Sequence, residues 1–169
     1  MGKEEEEDKE IIIKKLLHTK ESSEDIHYLL EQYKLYVDSH EKVSDRRQKT
    51  NEFFLGLNTA LLGVLGFLIG NFGEKEFMTL IVILSGIIIC YFWYRIIFSY
   101  KGLNTGKFAI IHALETKLPA ALYDTEWDVL GKGKNKSKYL PFSHIEIKIP
   151  WVFVFLYFIL LFKFIFRVI

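Results

Sequence analysis

The chain has 169 residues, enough for one ordinary domain. Half of them are hydrophobic, 16% are aromatic and 25% are charged, yet the formal net charge is only +1, so the whole chain carries no global electrostatic address for nucleic acid or an acidic partner. The single cysteine, Cys90, excludes an intramolecular disulfide, and no Cys/His spacing suggests zinc. Apolar and charged residues do not mix along the chain, as they would around a soluble core. They separate into blocks.

Residues 1–23 open with MGKEEEEDKE, the opposite of a basic n-region followed by an apolar stretch, so no signal peptide is expected. The Met-Gly start lacks the Ser or Thr at position 6 that myristoylation favours. The composition predicts an acidic, mostly disordered tail with short apolar clusters at Ile11–Ile13 and Leu16–Leu17.

From Asp25 the pattern changes. Ile26, Leu29, Leu30, Tyr33, Tyr36, Val37, His40 and Val43 recur at three and four residues, a helical stripe near a heptad repeat. Glu31, Lys34, Asp38, Glu41, Lys42, Asp45 and Arg46 occupy other faces, some at helical neighbour spacing. No Gly or Pro interrupts Glu24 to Leu55, so a helix over 24–52 is predicted to continue into the first apolar block. Its stripe packs either on the chain's own middle segment or on the same helix of another subunit.

Three apolar blocks follow: 53–72 (FFLGLNTALLGVLGFLIGNF), 77–98 (FMTLIVILSGIIICYFWYRIIF) and 150–169 (PWVFVFLYFILLFKFIFRVI). Each has the roughly 20 residues that span a hydrocarbon core as a helix. None shows the alternation a membrane β-barrel needs. The predicted fold class is an all-α membrane protein with three transmembrane helices: an N-terminal hairpin, tight because only residues 73–76 separate its arms, and a separate third span, with a helical cytoplasmic region. Arg46, Arg47 and Lys49 precede the first span, Lys101 and Lys107 follow the second, and Lys132, Lys134, Lys136, Lys138 and Lys148 precede the third, whereas the hairpin turn holds only Lys75. The positive-inside rule therefore puts the N-terminus and central segment in the cytoplasm and the C-terminus outside. Lys163 and Arg167, at the outer end of the third span, either snorkel to headgroups or mark a helix that inserts only in part. Tyr91, Trp93, Tyr94 and Trp151 are expected in an aromatic belt.

In the cytoplasmic segment 99–149, Gly102 to Gly106 reads as a turn, and Phe108, Ile111, Leu114 and Leu118 form a second helical stripe ending before Pro119. Asp124 is placed to cap a short helix, DTEWDVL, that Gly131 stops. The flexible loop GKGKNKSK puts Lys132, Lys134, Lys136 and Lys138 near anionic lipid headgroups, worth about 1 kcal/mol each. No aromatic residue is interleaved with these lysines, which argues against nucleic acid. HIEIKI, 144–149, alternates as a short strand or an interfacial lead-in to the third span.

No catalytic constellation emerges. His18, His27, His40, His112 and His144 form no i, i+4 pair and no HExxH, and no GxSxG, Walker loop or GxGxxG is present. His40 and His112 lie on or near apolar stripes and read as packing histidines. No enzyme, cofactor or metal is expected. The membrane residues are more informative. Gly56, Ala60, Gly63, Gly66 and Gly70, with Thr59 beside them, give the first span one face of small residues that lets another helix approach closely. Asn58 is too polar to face lipid and is expected against protein or water. Arg95, near the cytoplasmic end of the second span, either snorkels or pairs with Asp45 or Glu52. These eight residues are the candidates for an oligomer contact or pore, with packing of the small face against the second span of the same chain as the alternative.

Two stretches also resemble a known family. YKLYVDSHEKVSDRRQKTNEFFLGLNTALLGVLGFL, Tyr33 to Leu68, is similar to the signature of RipA-like bacterial membrane proteins, described as octameric membrane proteins, and YRIIFSYKGLNTGKFAIIHALETKLPAALYDTEW, from Tyr94, is similar to the family's segment after the hairpin. The resemblance covers roughly Tyr28 to Trp151 and implies a bacterial inner-membrane ring of identical subunits, an octamer, with no reaction and no catalytic residue to carry over. The expected function is thus a non-enzymatic homo-oligomeric membrane assembly, pore-forming or an effector in stress adaptation or phage defence. A holin-like lysis protein and a scaffold docking a soluble cytoplasmic partner are the alternatives.

Overall fold

Apolar runs of this length satisfy their backbone hydrogen bonds in lipid only as helices, and helices form. The computed structural model describes residues 3–17, 23–71, 76–133 and 145–168. These are almost entirely helical and include no strand. The elements are α1 Lys3–Leu16, α2 Ser23–Asn71, α3 Glu76–Glu115, α4 Leu122–Val129 and α5 Ile149–Val168, with a 3-10 turn at Gly131–Gly133. Three of them, α2, α3 and α5, are long and apolar enough to cross a membrane. Two of these, α2 with 49 residues and α3 with 40, far exceed the roughly 20 a bilayer needs. They contribute to both of the chain's units: the described residues within Met1–Asp45 and Lys101–Pro141 form one, and those within Arg46–Tyr100 and Phe142–Ile169 the other.

The first unit is built on the two helical stripes. Leu29 and Tyr33 of α2 meet Ile111 and Leu114 of α3, flanked by Leu17, Tyr36, Val37, Ile110, Leu118 and Tyr123. His40 packs edge-on against Phe108, with ring centroids 4.5 Å apart. Lys107 lies 4.4 Å from the Tyr36 ring centroid and donates to Ser39 Oγ at 2.9 Å. The segment expected to be a disordered tail holds α1. Its glutamates and lysines are good helix formers, and Glu10 precedes Lys14 by one turn. Lys9 pairs with Asp124 at 2.9 Å and Leu17 joins the apolar cluster, tertiary contacts that local composition does not reveal.

The turn expected at Gly102–Gly106 is absent: α3 runs through both glycines. Each costs the helix about 1 kcal/mol relative to alanine, and the burial of Ile111 and Leu114 one to two turns further on outweighs it. A Cβ at either glycine would meet nothing within 4 Å. Gly102→Ala and Gly106→Ala are therefore expected to stabilise the subunit, by roughly 0.5–1 kcal/mol each, as a rise in thermal midpoint by circular dichroism.

The start of α4 also differs from expectation. Asp124 lies inside the helix, the N-cap position is Ala121, and it makes no side-chain cap. The cap comes from Glu115, at the end of α3. Its carboxylate accepts from the backbone N–H of Tyr123 at 2.8 Å and of Asp124 at 2.9 Å, and from the Tyr33 hydroxyl at 2.7 Å. One buried anion thus ties α2, α3 and α4 together and sits at the positive end of a helix dipole. Glu115→Ala is expected to cost about 3 kcal/mol, because it strands three donors, and Glu115→Gln about 1 kcal/mol, because it keeps one acceptor; chemical denaturation checks both. Burial, and then the Glu115 hydrogen bond, raise the Tyr33 phenol above its usual range. The neutral phenol's contribution is full below about pH 10, the unfolded value, and is lost as pH rises further.

At the far end of α4, Gly131 has φ 72° and ends the helix, and Lys132 follows at φ 52°, with its ammonium 3.1 Å from Asp128. Lys134, Lys136 and Lys138 lie outside the described residues, as does His144. The rest of the HIEIKI stretch is not a strand: Ile145 and Glu146 are helical, a turn follows, and α5 begins at Ile149.

Candidate assembly interface

The second unit holds the membrane segments. Asn58 and Asn51 of α2 meet Cys90 and Trp93 of α3 respectively, so partners ascend on one helix as they descend on the other. The pair is an antiparallel hairpin. Its core is Leu65, Ile83, Cys90 and Tyr157, with one or more residues from each of α2, α3 and α5.

Asn58 is the polar centre of this core and fully buried. Its Oδ1 accepts from Cys90 Sγ at 3.1 Å and from the Tyr157 hydroxyl at 3.2 Å, while its Nδ2 donates to the Phe54 carbonyl at 2.8 Å. An amide that would be costly in lipid is satisfied inside one subunit and links all three spans. Tyr157 reaches it by lying against Gly86: a Cβ there would overlap the Tyr157 ring. One turn nearer the first unit's sequence, Trp93 donates to Asn51 Oδ1 at 2.9 Å, stacks on Phe54 and touches Phe153. Trp93 is therefore a buried packing residue rather than part of an aromatic belt. Tyr91 and Trp151 are exposed, and Tyr94 packs on Trp151.

The other α2 candidates lie elsewhere on the helix. Gly56, Thr59, Ala60, Gly63, Gly66 and Gly70 are all exposed. A Cβ at Gly56, Gly63, Gly66 or Gly70 would meet nothing within 4 Å, so the small face receives no helix of its own subunit among the described residues. Helical phase explains the division: Asn58 and Leu65 are seven residues apart on the inner face, and Gly56, Gly63 and Gly70 repeat by seven on the outer. Thr59 donates its hydroxyl to the Leu55 carbonyl at 2.8 Å, so the face carries no unsatisfied hydroxyl. The structure thus separates Asn58 from the six small residues with which the sequence grouped it. Arg95 is exposed on α3, and Lys163 is exposed on α5. Arg47 and Glu146 approach to 3.5 Å where α2 and the lead-in to α5 meet.

Sequence reasoning did not single out Tyr157, Gly86 or Glu115. A polar hydroxyl in the middle of an apolar block was the one available signal for Tyr157. Nothing local marks Gly86 as its seat or Glu115 as a cap for a helix seven residues on. No group of three or more His, Cys, Asp or Glu able to hold a metal occurs among the described residues.

No curated protein and no solved structure matches the chain. The model of the octameric membrane protein family (8xMP) matches residues 30–166, most of the chain, and the chain belongs to that family.

Proposed function

We propose that this octameric-family member is one subunit of a homo-oligomeric ring in the bacterial inner membrane, assembled through the small-residue face of α2 and acting without catalysis. The observation that carries this reading is that Gly56, Gly63, Gly66 and Gly70 are packed against nothing among the described residues of their own subunit. Lipid gains nothing from glycine, whereas a second helix gains close backbone approach. The family name supplies self-association, and a ring of identical subunits needs two different surfaces per subunit, one of which the small face provides. The lysine and arginine asymmetry supports an orientation with the first unit in the cytoplasm. In that orientation the lysines at 132, 134, 136 and 138 precede the third span on its cytoplasmic side, and anionic headgroups would attract such a run. The ring's role is that of a membrane effector, opening a path across the bilayer in stress adaptation or phage defence. Three spans enclose no wide channel, so such a path needs several subunits.

Mass photometry of the detergent-solubilised protein tests the assembly: a mass of eight subunits is the expected result, and a monomer at every accessible concentration overturns it. Flux of a small ion from proteoliposomes tests the pore, and sealed vesicles at full occupancy contradict it.

A scaffold reading has one specific observation in its favour. Tyr28 and Leu35, one heptad apart on α2 in the first unit, are 68% and 70% exposed. Crosslinking from these positions in native membranes distinguishes a soluble partner from a neighbouring subunit.

A further inference from the structure

We infer that the first unit contains a pH-sensitive latch that releases α1 when His112 is protonated. Asp124 on α4 is one carboxylate between two cationic partners. Its Oδ2 accepts from Lys9 Nζ of α1 at 2.9 Å, and its Oδ1 lies 3.5 Å from Nδ1 of His112 on α3. The Lys9, His112 and Asp124 side chains are 11%, 14% and 22% exposed, so water screens this competition weakly.

With His112 neutral, Lys9 has the carboxylate's full charge. A protonated His112 takes a share of that charge and sets a second cation beside the ammonium. The sign follows from Coulomb's law: a second cation that shares the carboxylate and repels the ammonium weakens the hold of Asp124 on Lys9. The ring's other nitrogen, Nε2, is buried with no hydrogen-bond partner among the described residues. Protonation there creates a buried N–H without an acceptor, which adds to the drive for rearrangement.

The surrounding groups leave Asp124 as the responsive anion. On α3, the helix of His112, Glu115 is already engaged by the Tyr33 hydroxyl and two backbone N–H groups, and Glu41 of α2 and Glu126 of α4, which act on Tyr123, are exposed and screened by water. From α2 come Tyr33, Tyr36 and His40, and from α4 Tyr123; burial raises all three phenols, which stay neutral. Lys107 is held by Ser39 and the Tyr36 ring. Asp8 and Glu10, beside Lys9 on α1, are exposed. Histidine is the side chain that titrates across the physiological range. The family match begins at residue 30, so α1 precedes the shared core while His112 and Asp124 lie within it. The arm lies outside the matched residues, and its release uncovers the apolar edge that Leu17 covers.

Hydrogen exchange over residues 3–17 of the full chain in nanodiscs, corrected for intrinsic rates, tests the latch at about pH 8 and about pH 5.5, either side of the histidine range. The wild-type chain is expected to lose protection about tenfold at the lower pH, within the usual span of coupling between two sites. His112→Gln is expected to keep α1 protected at both, and Lys9→Met to leave it unprotected at both. Unchanged wild-type protection, the same acid-induced loss in His112→Gln, or a Lys9→Met variant as protected as wild type at the higher pH would each overturn the inference. Should His112→Gln fail to fold, the wild-type pH series and Lys9→Met decide it.

Discussion

Gly86→Ala is expected to destabilise the subunit by about 2–3 kcal/mol, the typical cost of forcing a methyl into a filled core, even though alanine is the better helix former by about 1 kcal/mol. The reason is steric. A Cβ at Gly86 would occupy the space of the Tyr157 ring. That ring is fully buried among Leu65, Ile83 and Cys90, and so has nowhere to retreat. Moving it also breaks the hydroxyl's bond to Asn58, which leaves Asn58 with one donor fewer. The two losses separate by a double-mutant cycle. Tyr157→Phe keeps the ring and removes the hydroxyl, and is expected to cost about 1 kcal/mol. Tyr157→Ala removes the obstruction, so adding Gly86→Ala on that background should be neutral or mildly stabilising. Thermal unfolding in detergent, followed by circular dichroism, reads all four variants. A Gly86→Ala protein as stable as wild type would mean that α5 does not seat on α3 through this notch.

The second large effect is of the opposite kind: the fold survives and the assembly does not. Gly63→Leu with Gly66→Leu fills the small face of α2, where a side chain meets nothing within its own subunit. Subunit stability should hold or rise slightly, since leucine is a far better helix former than glycine. Where a neighbouring helix packs on the glycines, two leucines push the backbones apart and remove the close approach on which the contact depends. The double variant is expected to run as a monomer or small oligomer in size-exclusion chromatography, with its helical signal intact. Gly86→Ala and this variant therefore test the two faces of one hairpin independently: one unseats α5 inside the subunit, the other separates subunits.

Much of the architecture is legible in the sequence because its causes are local or one-dimensional. Length and apolarity alone mark 53–72, 77–98 and 150–169 as helices able to cross a membrane, and among the described residues α2, α3 and α5 contain 53–71, 77–98 and 150–168. The stripes from Ile26 and from Phe108 follow from a period near 3.6, and Leu29, Tyr33, Tyr36 and Val37 of the first meet Ile111, Leu114 and Leu118 of the second in one cluster, whereas Ile26 and Leu30 are exposed. What escapes are features whose cause lies elsewhere in the chain. Gly102 and Gly106 carry a local preference for a turn that burial of Ile111 and Leu114 overrides. The acidic run before Ile11 looks disordered until Lys9 finds Asp124, 115 residues away. Asp124 has the chemistry of an N-cap, but α4 starts before it, at Leu122, and Glu115 takes the N–H groups of Tyr123 and Asp124 because α3 ends beside them. Asn58 and the glycines look like one functional patch in a linear reading. Only helical phase, fixed by the contacts of Cys90 and Tyr157, assigns Asn58 to the subunit's core and the glycines to its surface.

That division is the basis of the assembly account: a satisfied polar centre holds the three spans of one subunit together, and the glycine face is left for another. Particle imaging of the protein in lipid nanodiscs tests it most directly. The account predicts a closed ring of eight subunits, with the face of α2 that carries Gly56, Gly63, Gly66 and Gly70 buried at each subunit contact. A ring whose contacts leave that face in lipid, or particles holding a single subunit, would contradict it.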